Sequence, residues 1–183
     1  MTHHIKMVVA AILAVSFVTA CASHRYTVVE PPKESLTNFS VLEIPEFNSN
    51  LQSAEAKELA KVFDDKLMQK IAVHRTQNPN DVVYDQIVKS TDQVEGVLVM
   101  NGTVISYEEG SRAKRYFIGL GSGKAYCTIQ VKFVDKATGE ELARTNFDGE
   151  LMGGIFGGSV DEAVDGTVKA FLDYMSEYMD ESP

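Results

Sequence analysis

Residues 119–149 read GLGSGKAYCTIQVKFVDKATGEELARTNFDG, and they decide the fold. Ala125, Cys127, Ile129, Val131 and Phe133 fall at every second position, with Tyr126, Thr128, Gln130 and Lys132 between them. A period of two is that of a strand with one buried face. The polar run DKATGE (135–140) supplies a turn, with Gly139 able to take positive φ. Beyond it Ala143, Thr145, Phe147 and Leu151 resume the inward set. The stretch predicts a long antiparallel hairpin on whose apolar face the rest of the chain packs.

The 183 residues are 44% hydrophobic, enough for one ordinary domain plus a short processed segment. The formal charge is −9; without residues 1–20, which hold one lysine and no acid, 16 basic residues face 26 acidic ones. An acidic surface repels nucleic acid and anionic lipid, so neither is expected as the main partner unless a local basic patch overrides the balance.

The N-terminus has the parts of an export signal. One lysine, Lys6, precedes an apolar run from Met7 to Val18 broken only by Ser16. That is about a dozen residues against the roughly 20 that span a bilayer. Val18, Thr19 and Ala20 then lead to Cys21 and resemble the lipobox of a bacterial lipoprotein. The resemblance implies cleavage before Cys21, lipidation of its thiol and acylation of the new amino group. Three acyl chains, at about 0.8 kcal/mol per buried methylene, make a stable anchor. By similarity to enteric lipoproteins, Ala22 in place of Asp implies the outer membrane.

Residues 22–37 show no period and contain Pro31 and Pro32, so they read as a tether of sixteen residues. Fully extended it reaches about 55 Å. Residues 38–47 then predict a strand ended by Pro45. Ser53 is placed to cap a helix with Glu55 in its first turn. Ala56, Leu59, Ala60, Phe63, Leu67 and Ile71 form its buried stripe, and Asn78 with Pro79 stops it. A weaker strand at 81–88 and a strong one at 96–107 follow, the latter with Gly102 inside it as a bend or close-packing point. After the hairpin, Ser159 and Glu162 have capping-box spacing. Val160, Val164, Val168, Phe171, Met175 and Tyr178 then recur at helical steps. The expected fold is α+β: a two-layer sandwich with a mainly antiparallel sheet of about five strands and two helices on one face. The expected division is a signal peptide at 1–20, lipidated Cys21 with its tether at 21–37, and a single domain at 38–183.

Gly102, Gly110, Arg115, the GLGSGKA run with Gly119, Gly121 and Gly123, the DKATG turn with Gly139, and Gly154, Gly157 and Gly158 before the last helix resemble the domain of unknown function 4410. That family occurs in bacterial lipoproteins, and the likeness spans roughly residues 38–179. These residues are glycines and turns, so they imply a fold and carry no chemistry. VKFVDKATGEEL (131–142) is more distantly similar to a hairpin of the curli-secretion channel lipoproteins. That likeness implies a related core but not pore formation, since the chain shows no counterpart of their membrane hairpins.

Catalytic parts are scarce. His74 is the one histidine between residues 38 and 183, placed at a helix C-terminus where it complements the dipole. The H-E-x-x-H, C-x-x-C and G-x-S-x-G motifs are absent from the sequence. Cys127 falls inward and reads as a small hydrophobe. The acidic pairs Glu108 and Glu109, Glu140 and Glu141, and Asp161 and Glu162 sit at turns or a helix start and read as solvated charge. The 119–123 glycines precede a strand, not the helix N-terminus that a phosphate loop requires. Gly154, Gly157 and Gly158 do precede a helix, but Asp161 and Glu162 in its first turn would repel an anion. The local exception is Arg112, Lys114, Arg115, Tyr116 and Phe117, basic then aromatic. It reads as a solvated loop with core anchors, or as a contact patch for a protein partner or lipid headgroups.

The sequence therefore predicts a membrane-anchored envelope lipoprotein, facing the periplasm from the outer membrane. It is expected to act without enzymatic activity, metal or cofactor, as an adaptor or assembly subunit with an envelope partner or copies of itself. Two alternatives stand beside this reading: a subunit of an oligomeric secretion pore, and a small ligand binder or enzyme using the glycine loops.

Overall fold

The computed structural model describes residues 26–77, 84–108, 125–151 and 160–178. Seven strands and two long helices appear among them. In chain order they are β1 (Tyr26–Glu30), β2 (Val41–Glu43), β3 (Asn48–Ser49), α1 (Ala54–Gln77), β4 (Gln86–Val88), β5 (Val97–Glu108), β6 (Ala125–Asp135), β7 (Glu141–Leu151) and α2 (Val160–Tyr178). A 3-10 turn, Leu36–Asn38, precedes β2 and is capped by the Ser35 hydroxyl, which accepts from the Thr37 N–H. The strand order is β1-β7-β6-β5-β2-β4, with β3 also on β5.

The α+β class and the predicted hairpin are present. β6 and β7 pair from Ala125 opposite Leu151 to Phe133 opposite Ala143, and after a register shift Val134 lies opposite Glu141. Cys127, Ile129, Val131 and Phe133 are buried on one face, as are Ala143, Thr145 and Phe147 across from them. Gly139 closes the turn at φ +73°. Its amide donates to the Asp135 carbonyl, and Thr138 Oγ1 donates to Asp135 Oδ2 at 2.9 Å.

Two expectations change. The sheet has seven strands and is mixed: β1-β7-β6-β5 is antiparallel, whereas β2, β3 and β4 join in parallel pairings. The parallel part follows from α1, which sends the chain back across the sheet before it re-enters. Residues 26–30, read as part of a tether, instead form β1. Tyr26 lies opposite Phe147 and Glu30 opposite Arg144, with a register shift after Val28. The aromatic and β-branched YTVV run is good strand material, and here it finds a long partner.

Both helices cover the same sheet face. Ser53 Oγ caps α1 by accepting from the Ala56 amide at 3.0 Å. The predicted stripe of Ala56, Leu59, Ala60, Phe63, Leu67 and Ile71 is buried throughout. Each large member contributes about 1.5–3 kcal/mol relative to exposure. In α2 the buried side is Thr167, Val168, Ala170, Phe171 and Tyr174, with Met175 only partly covered. Tyr174 joins a ring cluster with Tyr26, Phe133 and Phe147, at centroid separations of 5.5–5.8 Å. That cluster fastens β1 to the core. The Tyr26 hydroxyl, which donates to Glu177 Oε2, adds a polar tie.

Candidate functional site

Among the described residues, with one sheet face under helices, the opposite face and the two terminal strands are the surfaces left uncovered. On the open face, polar side chains pair across β6 and β7. Thr128 Oγ1 donates to Asp148 Oδ1 at 2.7 Å, and Gln130 Nε2 to Asn146 Oδ1 at 3.1 Å. One step on, Lys132 and Arg144 lie directly opposite each other. Like charges so placed repel. Glu141 lies between them, 3.1 Å from Lys132 Nζ and 2.5 Å from Arg144 Nη2, while Arg144 Nη1 reaches Glu30 Oε1 at 3.2 Å. Partial burial raises the Glu141 pKa, but the bonds from Lys132 and Arg144 outweigh it and hold the carboxyl below its usual range. Two acids thus neutralise two bases at this step of the face.

The terminal strands differ. β1 is five residues long, is irregular after Val28, and shows Val29 to solvent at 43%. At the other end of the order stands β4, three residues long. Among the described residues no further strand pairs with either outer edge. Short or bulged edges resist indiscriminate pairing while keeping backbone donors and acceptors available.

Two lysines, each held by carboxylates, brace the sheet near β2 and β4. Asp64 of α1 is buried and accepts from Lys89, which also lies 2.9 Å from Asp65. Desolvation lowers the Lys89 pKa, but the two carboxylates outweigh it and raise it above the usual value. Lys136 Nζ donates to Glu43 Oε2 and to the Thr91 carbonyl, both at 2.5 Å. None of these pairs was legible in the sequence, because their members are far apart along the chain.

The predicted site residues divide. Gly102 is a close-packing point: a β-carbon there would overlap the ring of Phe47. Gly139 serves the turn. Cys127 is buried, its Sγ 3.9 Å from Thr167 Oγ1, and burial pushes its thiol pKa up despite that contact. Such a thiol is a poor nucleophile. Glu140 is exposed and pairs with Lys33 at 2.7 Å, and His74 is half-buried near the end of α1. Cys21, Arg112, Lys114, Arg115, Tyr116, Phe117 and Glu109 lie outside the described residues, as do Gly110, Gly119, Gly121, Gly123, Gly154, Gly157 and Gly158. Among the described residues no three His, Cys, Asp or Glu side chains group as metal ligands, and no helix is long and apolar enough to cross a membrane.

A family model, "Domain of unknown function (DUF4410)", matches residues 34–154. No curated protein shows significant similarity to the sequence. Among solved structures, a PelC dodecamer variant from Paraburkholderia phytofirmans aligns at 11% identity over 80% of this chain and 94% of that chain, with a TM-score of 0.50. A lipoprotein of Neisseria meningitidis, GNA1162, aligns at 12% identity over 75% and 98%, with a TM-score of 0.40. A putative neuraminyllactose-binding hemagglutinin homolog from Helicobacter pylori aligns at 14% identity over 82% and 90%, with a TM-score of 0.38. The first of these shares the fold.

Proposed function

The chain belongs to the DUF4410 family, and on that premise we propose that it is a lipid-anchored bacterial envelope protein, a non-enzymatic adaptor or assembly subunit. In this reading Cys21 carries the anchor at the outer membrane, and the sheet edges make the contacts. The observation that carries the proposal is the sheet order, which ends in two unlike strands, β1 and β4. Their outer edges present backbone groups that an added strand can satisfy. The hydrophobic helical faces, by contrast, are already spent on the core.

The sheet order also favours a second reading, an oligomeric secretion component. An edge that meets an unlike edge on the next copy makes a heterologous contact, and such contacts generate rings when the rotation closes. The fold shared with a PelC dodecamer supports this reading at the level of architecture.

Native mass of the detergent-extracted protein separates the two. An adaptor runs as a monomer or small complex, and a pore subunit as a ring of many copies. Mass analysis of the N-terminus, with Cys21→Ser as control, tests the anchor; an unmodified N-terminus elsewhere would refute it.

A further inference from the structure

We propose that β1 is an acid-released strand: as the carboxylates around it take up protons, it leaves the edge of β7 while the rest of the sheet stays folded. The release depends neither on the anchor nor on what the sheet edges bind. β1 pairs on one side with β7, and a register shift interrupts that pairing after Val28. Among the described residues no strand lies on its other side. At its start the Tyr26 hydroxyl donates to Glu177 of α2. At its end Glu30 Oε1 lies 3.2 Å from Arg144 Nη1 of β7. Just beyond, Lys33 Nζ donates to Glu140 Oε1 at 2.7 Å. Each of these ties has a carboxylate at one end.

The last two ties belong to one cluster, in which Glu30, Glu140 and Glu141 face Lys33, Lys132 and Arg144. Glu141 bridges Lys132 and Arg144, and the charges of Glu30 and Glu141 reach Lys33 behind its bond to Glu140. Of the other groups on elements packed against β1, Asp148 of β7 is bonded by Thr128. From α2, Glu177 and the Tyr174 ring meet Tyr26, while Lys169 and Asp173 are exposed. With its acids charged the cluster is balanced. With them protonated its cations remain, Lys132 stands directly opposite Arg144, and Glu30 no longer draws Arg144 towards β1. The Tyr26 bond loses its charge assistance once Glu177 is neutralised. Burial raises the Glu141 pKa, but the bonds from Lys132 and Arg144 outweigh it, so the folded value lies below 4.5. What this carboxylate contributes is complete above pH 4.5 and fades as pH falls through the folded value. β1 is the segment that yields, because its pairing is short, irregular and one-sided, whereas β5 and β6 are paired on both sides.

The test is hydrogen exchange by mass spectrometry on the full-length protein in detergent, between pH 7 and pH 3.5. Rates are corrected for the intrinsic effect of pH. Several weakened ties of this exposed kind should together lower the protection of a peptide covering β1 by about tenfold. A peptide covering β5 should stay the better protected of the two at each pH. Glu30→Gln, Glu140→Gln and Glu141→Gln together should produce most of that loss at pH 7 and leave little further change on acidification. If the triple variant does not protect β5, Glu141→Gln alone serves, with a smaller loss in the same direction. Protection of β1 that is absent at pH 7, unchanged at pH 3.5, or lost only together with that of β5 overturns the release. So does a full acid response in the glutamine variant that folds.

Discussion

Gly102 and Phe47 occupy one space between them: the Phe47 ring lies where a side chain at position 102 would begin. Gly102 sits in β5 opposite Val131 of β6, and Phe47 is stacked on Phe63 of α1 at 5.4 Å. The missing β-carbon is thus what lets β5, the β2–β3 connection and α1 close on one another. Gly102→Ala should destabilise the domain by about 2–3 kcal/mol, since the added carbon would overlap a buried ring that is itself stacked on Phe63. Urea denaturation measures this. Phe47→Leu should recover part of the loss in the Gly102→Ala background and cost stability alone, a non-additivity expected of residues that share a space.

Removing Lys89 strands a carboxylate. The Asp64 side chain is 2% exposed, and its second oxygen, Oδ1, has no partner among the described residues. Lys89→Met should cost about 2–3 kcal/mol, below the full cost of breaking a buried pair because Lys89 is 37% exposed. The folded pKa of Lys89 lies above 10.5. Its stabilisation is therefore complete below pH 10.5 and fades as pH rises through the folded value. Denaturation from pH 8 to pH 11.5 should show a wild-type decline that is shallower in Lys89→Met. Parallel curves would show that the pair contributes nothing.

Tyr26→Ala removes a ring 5.6 Å from Tyr174 and 6.2 Å from Phe147, together with the bond to Glu177. Partial exposure of Tyr26 puts the expected loss at about 2 kcal/mol, below that of a fully buried aromatic. Hydrogen exchange locates it: the amides of β1 should lose protection before those of β5 and β6. If β1 were a loose tether, its amides would exchange freely in wild type and the substitution would be silent.

Cys127 should label with a thiol reagent only as fast as the domain opens. Its sulfur is buried and burial raises its pKa, so little thiolate exists and none of it is accessible. Labelling in increasing urea should track unfolding, and non-reducing mass analysis should show a free thiol. Fast labelling under native conditions would place the sulfur on the surface.

What the sequence disclosed follows from how far its signals travel. The β6–β7 hairpin and the α1 stripe are local patterns of period two and near four, so their facing could be read directly from Cys127 to Phe133 and from Ala56 to Ile71. Tyr174 was not among the residues expected for the α2 stripe, because steps of three and four from Phe171 reach it as well as Met175 and only the ring cluster at β1 shows that it is buried. The strand at 26–30 was hidden behind Pro31 and Pro32, since nothing near it reveals a partner past residue 140. The parallel pairing of β2 with β5 depends on where α1 returns the chain, which no window of sequence contains. The expected contact residues 112–117 and most of the glycine clusters fall outside the described residues. The polar ladder, although built from residues already assigned outward, became specific only when the register set Glu141 between Lys132 and Arg144.

The Tyr26–Glu177 bond spans 151 positions, and it sets an order of assembly. During synthesis β1 emerges first, yet it has nothing to pair with until β7 has followed, and its ring lacks Tyr174 until α2 exists. Loop closure of that length comes late, after the hairpin has formed from its own short turn. The first strand of the chain is thus the last to be secured, so the sheet remains open along that edge until nearly all of the chain has been made.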